Sequence, residues 1–190
     1  MFDSPAAAEV TVWRPALRLA HWALAASVLG CLLLFEGGTW HERLGYTALA
    51  IAAWRVLTGL VGRRSANPSQ RHARFASFVR SPAATLAYAR ALCHGAEPRH
   101  LGHNPLGGWM VLALLAAVLL AGASGAVYVT DAFWGDDAVY RLHQFAGWAL
   151  AVLVPLHLGG VALTSWLQHE NLVKAMLTGT KRAAGPGDID

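Results

Sequence analysis

The sequence predicts an all-α membrane protein: a four-transmembrane-helix bundle with an interfacial cytoplasmic helix between spans two and three. Three observations predict it. Hydrophobic residues make up 55% of the 190 and charged residues only 14%, whereas an ordinary soluble domain carries about 25% charge. Four segments are long and apolar enough to cross a bilayer, which takes about 20 residues each. The basic residues gather on alternate connections, as membrane topology requires. The net charge of +4 therefore reads as an orientation signal, and nucleic acid is not an expected partner.

Span one is expected over 15–35, with Pro15 in the first helical turn and Gly37-Gly38 ending it. It follows Arg14 and Arg18 and lacks a small-residue cleavage site, so it is read as a retained span. Span two covers 40–61 and is interrupted only by Arg55. A polar stretch follows, in which Phe75, Phe78, Val79, Leu86, Tyr88, Ala89 and Leu92 alternate with Arg74, Arg80 and Arg90. That pattern suits a helix at the membrane interface or one packed on the ends of the spans. Span three, 106–129, opens at Asn104-Pro105 and carries no charge. Span four, 139–167, contains His143, Pro155 and His157. A single domain is expected over 1–182, with 183–190 a disordered tail. Cys31 and Cys93 show no metal spacing and suggest no disulfide.

Orientation follows from charge. The connection between spans two and three holds Arg63, Arg64, Arg71, Arg74, Arg80, Arg90 and Arg99 against one acid, Glu97. Arg14 and Arg18 precede span one, and Lys174, Lys181 and Arg182 follow span four. The opposite side carries Glu36, Glu42, Asp131, Asp136 and Asp137 against Arg43 and Arg141. Both termini and the long connection are thus expected on the cytoplasmic side of the membrane, with lipid as the first partner.

The chemistry lies in four histidines, His21, His41, His143 and His157. Intramembrane ionisable residues are rare and usually functional. His143 and His157 are fourteen residues apart, which on a helix is about 21 Å in depth and about 40° in direction. They share one face at two levels. Because spans alternate in direction, His21 matches the level of His157 and His41 that of His143. Paired imidazoles across a helical bundle are one way in which membrane proteins hold haem. The competing readings are hydrogen-bonded core histidines and a haem-free proton or ion transporter that uses the histidines as a proton relay. Zinc fits poorly, since each level offers two histidines and no thiolate. The HxxH of His100 and His103, with His72, His94 and His169, reads as solvated or interfacial.

A short repeat links the outer pair. HERLGY begins at His41 and HQFAGW at His143, each placing a glycine four residues on, on the same helix face. Gly45 and Gly147 would leave a flat gap beside each outer histidine, wide enough for a porphyrin. Continuing the repeat sets Arg55 level with His157, where a haem propionate would need a cation. Arg18, one turn before His21, is a second candidate, with snorkelling to the headgroups its alternative.

At these residues the chain resembles the bacterial di-haem cytochrome b family, of the cytochrome b561 and hydrogenase or formate dehydrogenase cytochrome b subunit type. The pieces are RLAHW at Arg18 to Trp22, HERLGY, WRVLTG at Trp54 to Gly59, HNPLGGW at His103 to Trp109, and LHQFAGW with a later LH in span four. In order, they cover about Val12 to Arg182. The resemblance implies two non-covalent b haems, with His21, His41, His143 and His157 as axial ligands of the iron. HNPLGGW and the NLVKAMLTGTK tail look most like stand-alone members that work with c-type cytochromes. Hydrogenase-linked members often have a further span.

The expected function is transmembrane electron transfer between the quinone pool, ubiquinone or menaquinone, and a redox partner, either a c-type cytochrome or a periplasmic oxidoreductase. An electron-transfer protein is favoured over a stand-alone enzyme because no soluble catalytic domain is evident. Superoxide oxidation coupled to quinone reduction is the alternative within the family. It needs a basic funnel over the outer haem, where this sequence is acidic.

Overall fold

The computed structural model describes residues 8–61 and 73–189. Arg63, Arg64, Arg71 and His72 lie outside the described residues. Seven helices are described. The four long ones are α1 (Pro15–Leu33), α2 (Thr39–Val61), α5 (Pro105–Tyr128) and α6 (Asp137–Leu167). All four have the length and apolarity of membrane spans. Three short ones, α3 (Phe75–Phe78), α4 (Pro82–Cys93) and α7 (Leu172–Thr178), lie between and after them. The expected spans thus appear within a few residues of their expected ends.

Local chemistry sets those ends. Pro15 and Pro105 occupy the first turns of α1 and α5, where a missing N–H costs nothing. Asn104 accepts a hydrogen bond from the Gly107 N–H at 2.7 Å, and Asp136 accepts from Ala138 and Val139 at 2.9 Å each. Both are N-caps. Gly37 and Gly38 turn the chain from α1 into α2 with φ of 91° and 94°, values that glycine tolerates without a Cβ clash. The helix pattern expected between spans two and three divides into α3 and α4. Ser81 stands extended before Pro82, which disfavours helical geometry in its predecessor, and caps α4 through Ala84 N–H. Helix α4 packs against the start of α5, where the Trp109 Nε1–H points to Thr85 Oγ1 at 3.1 Å.

Helix α1 packs on α2, α2 on α5, and α5 on α6. Small residues let the backbones approach. A Cβ on Gly122 of α5 would stand 2.8 Å from Cβ of Leu49 on α2, and one on Gly30 of α1 would stand 2.6 Å from Cδ1 of Leu44 on α2. Ala48, Ala52, Phe78, Leu115, Val118 and Leu150 form much of the resulting core. Helix α6 has only sparse backbone contact with α1 and α2, so a cleft separates its inner face from theirs. The other side of α6 presents Phe145, Trp148, Val152 and Trp166, all largely exposed. In a membrane that stripe faces lipid.

The two ends of the described chain meet at one end of the bundle. Strand β1 (Glu9–Thr11) pairs antiparallel with β2 (Thr180–Arg182), in the register Glu9 to Arg182. Beside it, two buried cations share one carboxylate. Arg99 contacts Glu170 at 2.8 Å and Asp188 at 2.5 Å, and Lys181 contacts Glu170 at 3.3 Å. Lys181 also donates to the carbonyls of His100 and Leu101 at 3.1 Å. The segment expected as a disordered tail is tied into this cluster: Ile189 N–H donates to Arg99 and the Ile189 carbonyl accepts from Leu101. Buried cations are stable only with anions and carbonyls around them, and Asp188 supplies one of the anions.

Candidate functional site

The structure brings the four intramembrane histidines together in two facing pairs. His41, in the first turn of α2, faces His143 of α6 with ring centroids 5.9 Å apart. His21 of α1 faces His157 of α6 at 6.4 Å. The α6 histidines stand on one side of one helix, fourteen residues apart, because α6 continues unbroken through Pro155. Each pair spans the cleft between α6 and the α1–α2 layer.

The spacing suits a metal group held from both sides. Two imidazoles on opposite faces of one metal, each bonded at about 2 Å, set their ring centroids about 6 Å apart. Room beside the outer pair is also present. A Cβ added to Gly45 or to Gly147 would meet nothing within 4 Å. The separations at both levels, with room beside the outer pair, suit a flat group ligated from two sides.

The outer imidazoles are oriented by the backbone. His143 Nδ1 donates to the Ala121 carbonyl at 2.9 Å, and His41 Nδ1 donates to the Leu34 carbonyl at 2.9 Å. A carbonyl can only accept, so each Nδ1 carries a proton, and in the neutral ring Nε2 is the nitrogen that keeps a lone pair. Leu34 is the cap residue of α1, so His41 also satisfies an end carbonyl of that helix. The inner pair is held differently. Among the described residues neither His21 nor His157 hydrogen-bonds to protein through its ring, and His21 rests edge-on against Trp22 at 5.4 Å.

Sequence reasoning missed the α5 contribution. Ala121, Ser124 and Gly125 form the seat of His143. Ser124 Oγ lies 3.5 Å from its Nδ1, and a Cβ on Gly125 would stand 3.0 Å from its Cε1. The signal available was the small-residue run from Ala121 to Ala126 in the otherwise bulky span three.

The two candidate cations part company. Arg18 donates to the carbonyl of Leu177 in α7, and a Cβ on Gly179 would stand 2.8 Å from its Nη1. It thus serves the junction between the start of α1 and the end of α7. Arg55 is buried in α2 against Phe75. Of the other histidines, His100 packs edge-on against Tyr88 at 5.4 Å, and His103 packs on Phe78 at 4.5 Å and Trp13 at 4.9 Å. They belong to the packing at the terminal end of the bundle. Burial pushes the His100 imidazole below its ordinary value, against a hydrogen bond with the Pro98 carbonyl.

The sequence matches the family model of prokaryotic cytochrome b561 over residues 12–179, a stretch that includes all four helices and all four histidines. No curated protein and no solved structure matches the chain.

Proposed function

We propose, from the premise that this chain belongs to the prokaryotic cytochrome b561 family and is a membrane haem b electron-transfer protein, that it holds two b haems stacked across the bilayer. His21 with His157 would bind the inner haem and His41 with His143 the outer one. The observation that carries this reading is the pair of imidazole separations, 6.4 and 5.9 Å, each suited to one doubly ligated metal. When bound, such a haem would supply a one-electron couple, and a group held by two histidines would suit electron transfer rather than substrate binding.

The protein residues then bind, orient and exclude. Ala121 and Leu34 carbonyls orient the outer imidazoles. Gly45 and Gly147 leave the gap for a macrocycle. The apolar bundle keeps water from both sites. Two such centres about 21 Å apart in depth form a relay between a quinone at the membrane and a redox partner at its surface, a c-type cytochrome or a periplasmic oxidoreductase. The arginine-rich end, with both termini, would face the cytoplasm.

The direct test is stoichiometry. Purified protein should give about two haems b per chain by pyridine haemochrome. A ratio near one in fully loaded protein would remove the second level, and none would leave the histidines as a proton relay.

A further inference from the structure

Arg55 is 9% exposed, although it stands within an apolar span. Its guanidinium carbon lies 4.6 Å from the centroid of the Phe75 ring. Its Nη1 is buried and has no hydrogen-bond partner among the described residues. A snorkelling arginine keeps its charged tip in water; this one has Nη1 buried and its guanidinium set over a phenyl ring.

The clamp has two parts. Phe75, from α3, offers its π face to the cation. Gly59, one turn along α2, makes the space: a Cβ there would stand 2.6 Å from the Arg55 Nη1 and 2.6 Å from two atoms of the Phe75 ring. Any side chain at 59 would separate guanidinium from ring or push both aside.

Among the described residues no acidic side chain pairs with this charge. Helices α1 and α5 contain no acidic residue. Helices α2 and α6 carry only Glu42 and Asp137, in their first turns at the opposite end. At the near end, Glu170 and Asp188 are engaged by Arg99 and Lys181, and Glu97 lies by Tyr88. Depth places Arg55 level with the inner histidines. It follows His41 by fourteen residues, as His157 follows His143, and His41 and His143 face each other.

We infer that Arg55, clamped between Phe75 and Gly59, receives a propionate carboxylate of the haem held by His21 and His157, an inference that rests on the two-haem reading. An Arg–carboxylate bond is charge-assisted and can be bidentate. A fixed cation near the inner iron favours its reduced, less positive state and raises its potential. Through Phe75, the short helix α3 would thereby act on the inner haem by way of Arg55. An anionic lipid phosphate could also satisfy a guanidinium, but it would leave haem potentials independent of the Phe75–Gly59 clamp.

The test is redox titration of the purified holoprotein, with haem content measured in parallel, for wild type, Arg55→Gln, Arg55→Lys and Gly59→Ala. The inner haem is identified as the component lost in His157→Ala. Arg55→Gln should make that haem at least about tenfold harder to reduce, about 59 mV for one electron, and leave the outer haem unchanged. Gly59→Ala should shift it the same way with no change in charge, and Arg55→Lys should stay nearer wild type. Loss of only the inner haem from Arg55→Gln, with retention in Arg55→Lys, also supports the anchor. Unchanged potentials at full occupancy overturn it and point to lipid. A shift confined to the outer haem, or loss of both haems from all three variants, overturns it as well. Fewer than two haems in the wild type would instead overturn the two-haem reading, and this inference with it.

Discussion

His143 donates its Nδ1 hydrogen to the main-chain carbonyl of Ala121, 2.9 Å away on the neighbouring span. That bond orients an imidazole whose ring centroid lies 5.9 Å from that of His41. It ties the outer site to α5, a helix that supplies none of the four histidines. Such bonds to the second nitrogen are typical partners of metal-ligating histidines. His41 makes the equivalent bond to Leu34, so both outer rings are oriented by main-chain carbonyls.

The two levels should be separable. His41→Ala or His143→Ala should halve the haem content and remove one spectral component. His21→Ala or His157→Ala should remove the other. The reason is the pairing across the cleft at 5.9 and 6.4 Å. Low-temperature spectra of the four variants decide it: if His21→Ala and His143→Ala erased the same component, the pairing would be wrong.

Two glycines of the outer site should respond differently to a larger side chain. Gly147→Leu enters open space, so helix content and bundle stability should hold while the outer haem is excluded. Gly125→Ala places a methyl 3.0 Å from Cε1 and 3.1 Å from Nδ1 of His143. Such overpacking costs about 1–3 kcal/mol, felt as a lower melting temperature together with weaker outer-haem retention. Circular dichroism melts run alongside haem assays separate the two. A Gly147→Leu protein with both haems in place would refute the gap.

The terminal cluster should be sensitive to acid. Burial alone would raise the Glu170 carboxyl, but the hydrogen bond from Arg99, the charge of Lys181 and the Arg182 N–H together hold it below its ordinary value. A depressed carboxyl contributes stability above its unfolded value of about 4.3, and that contribution is lost as pH falls through the folded value. Glu170→Gln, which strips two buried cations of their shared anion, should cost about 2–3 kcal/mol near pH 7. The gap between wild-type and variant melting temperatures should close as pH is lowered toward 3. A gap that persisted unchanged in acid would show that the carboxylate charge is not what matters.

Topology is open to a direct check. The β1–β2 pairing puts both ends of the described chain on one side of the bundle, the side rich in arginine. A fluorescent protein fused to the C-terminus should fluoresce, and alkaline phosphatase fused there should be inactive. The reverse pattern would invert the assigned orientation and exchange the inner and outer labels of the two levels.

Sequence alone fixed the helices and the depth of the histidines. Proline, asparagine and aspartate mark the helix starts, twenty-residue apolar runs mark the spans, and the fourteen-residue step from His143 to His157 fixes two levels, because helical rise and rotation are properties of the backbone itself. The similarity of HERLGY and HQFAGW pointed to Gly45 and Gly147 for the same reason, since residues four apart share a face. Only the tertiary structure decided what surrounds each group. The seating of His143 on Ala121 and Gly125, the stacking of Arg55 on Phe75 beneath Gly59, the use of Arg18 at the end of α7, and the capture of the C-terminal tail by Arg99 all join residues far apart in the chain. Periodicity gives the direction in which a side chain leaves its helix; which neighbour it meets depends on how closely two backbones approach, and that is set by small residues on both helices at once.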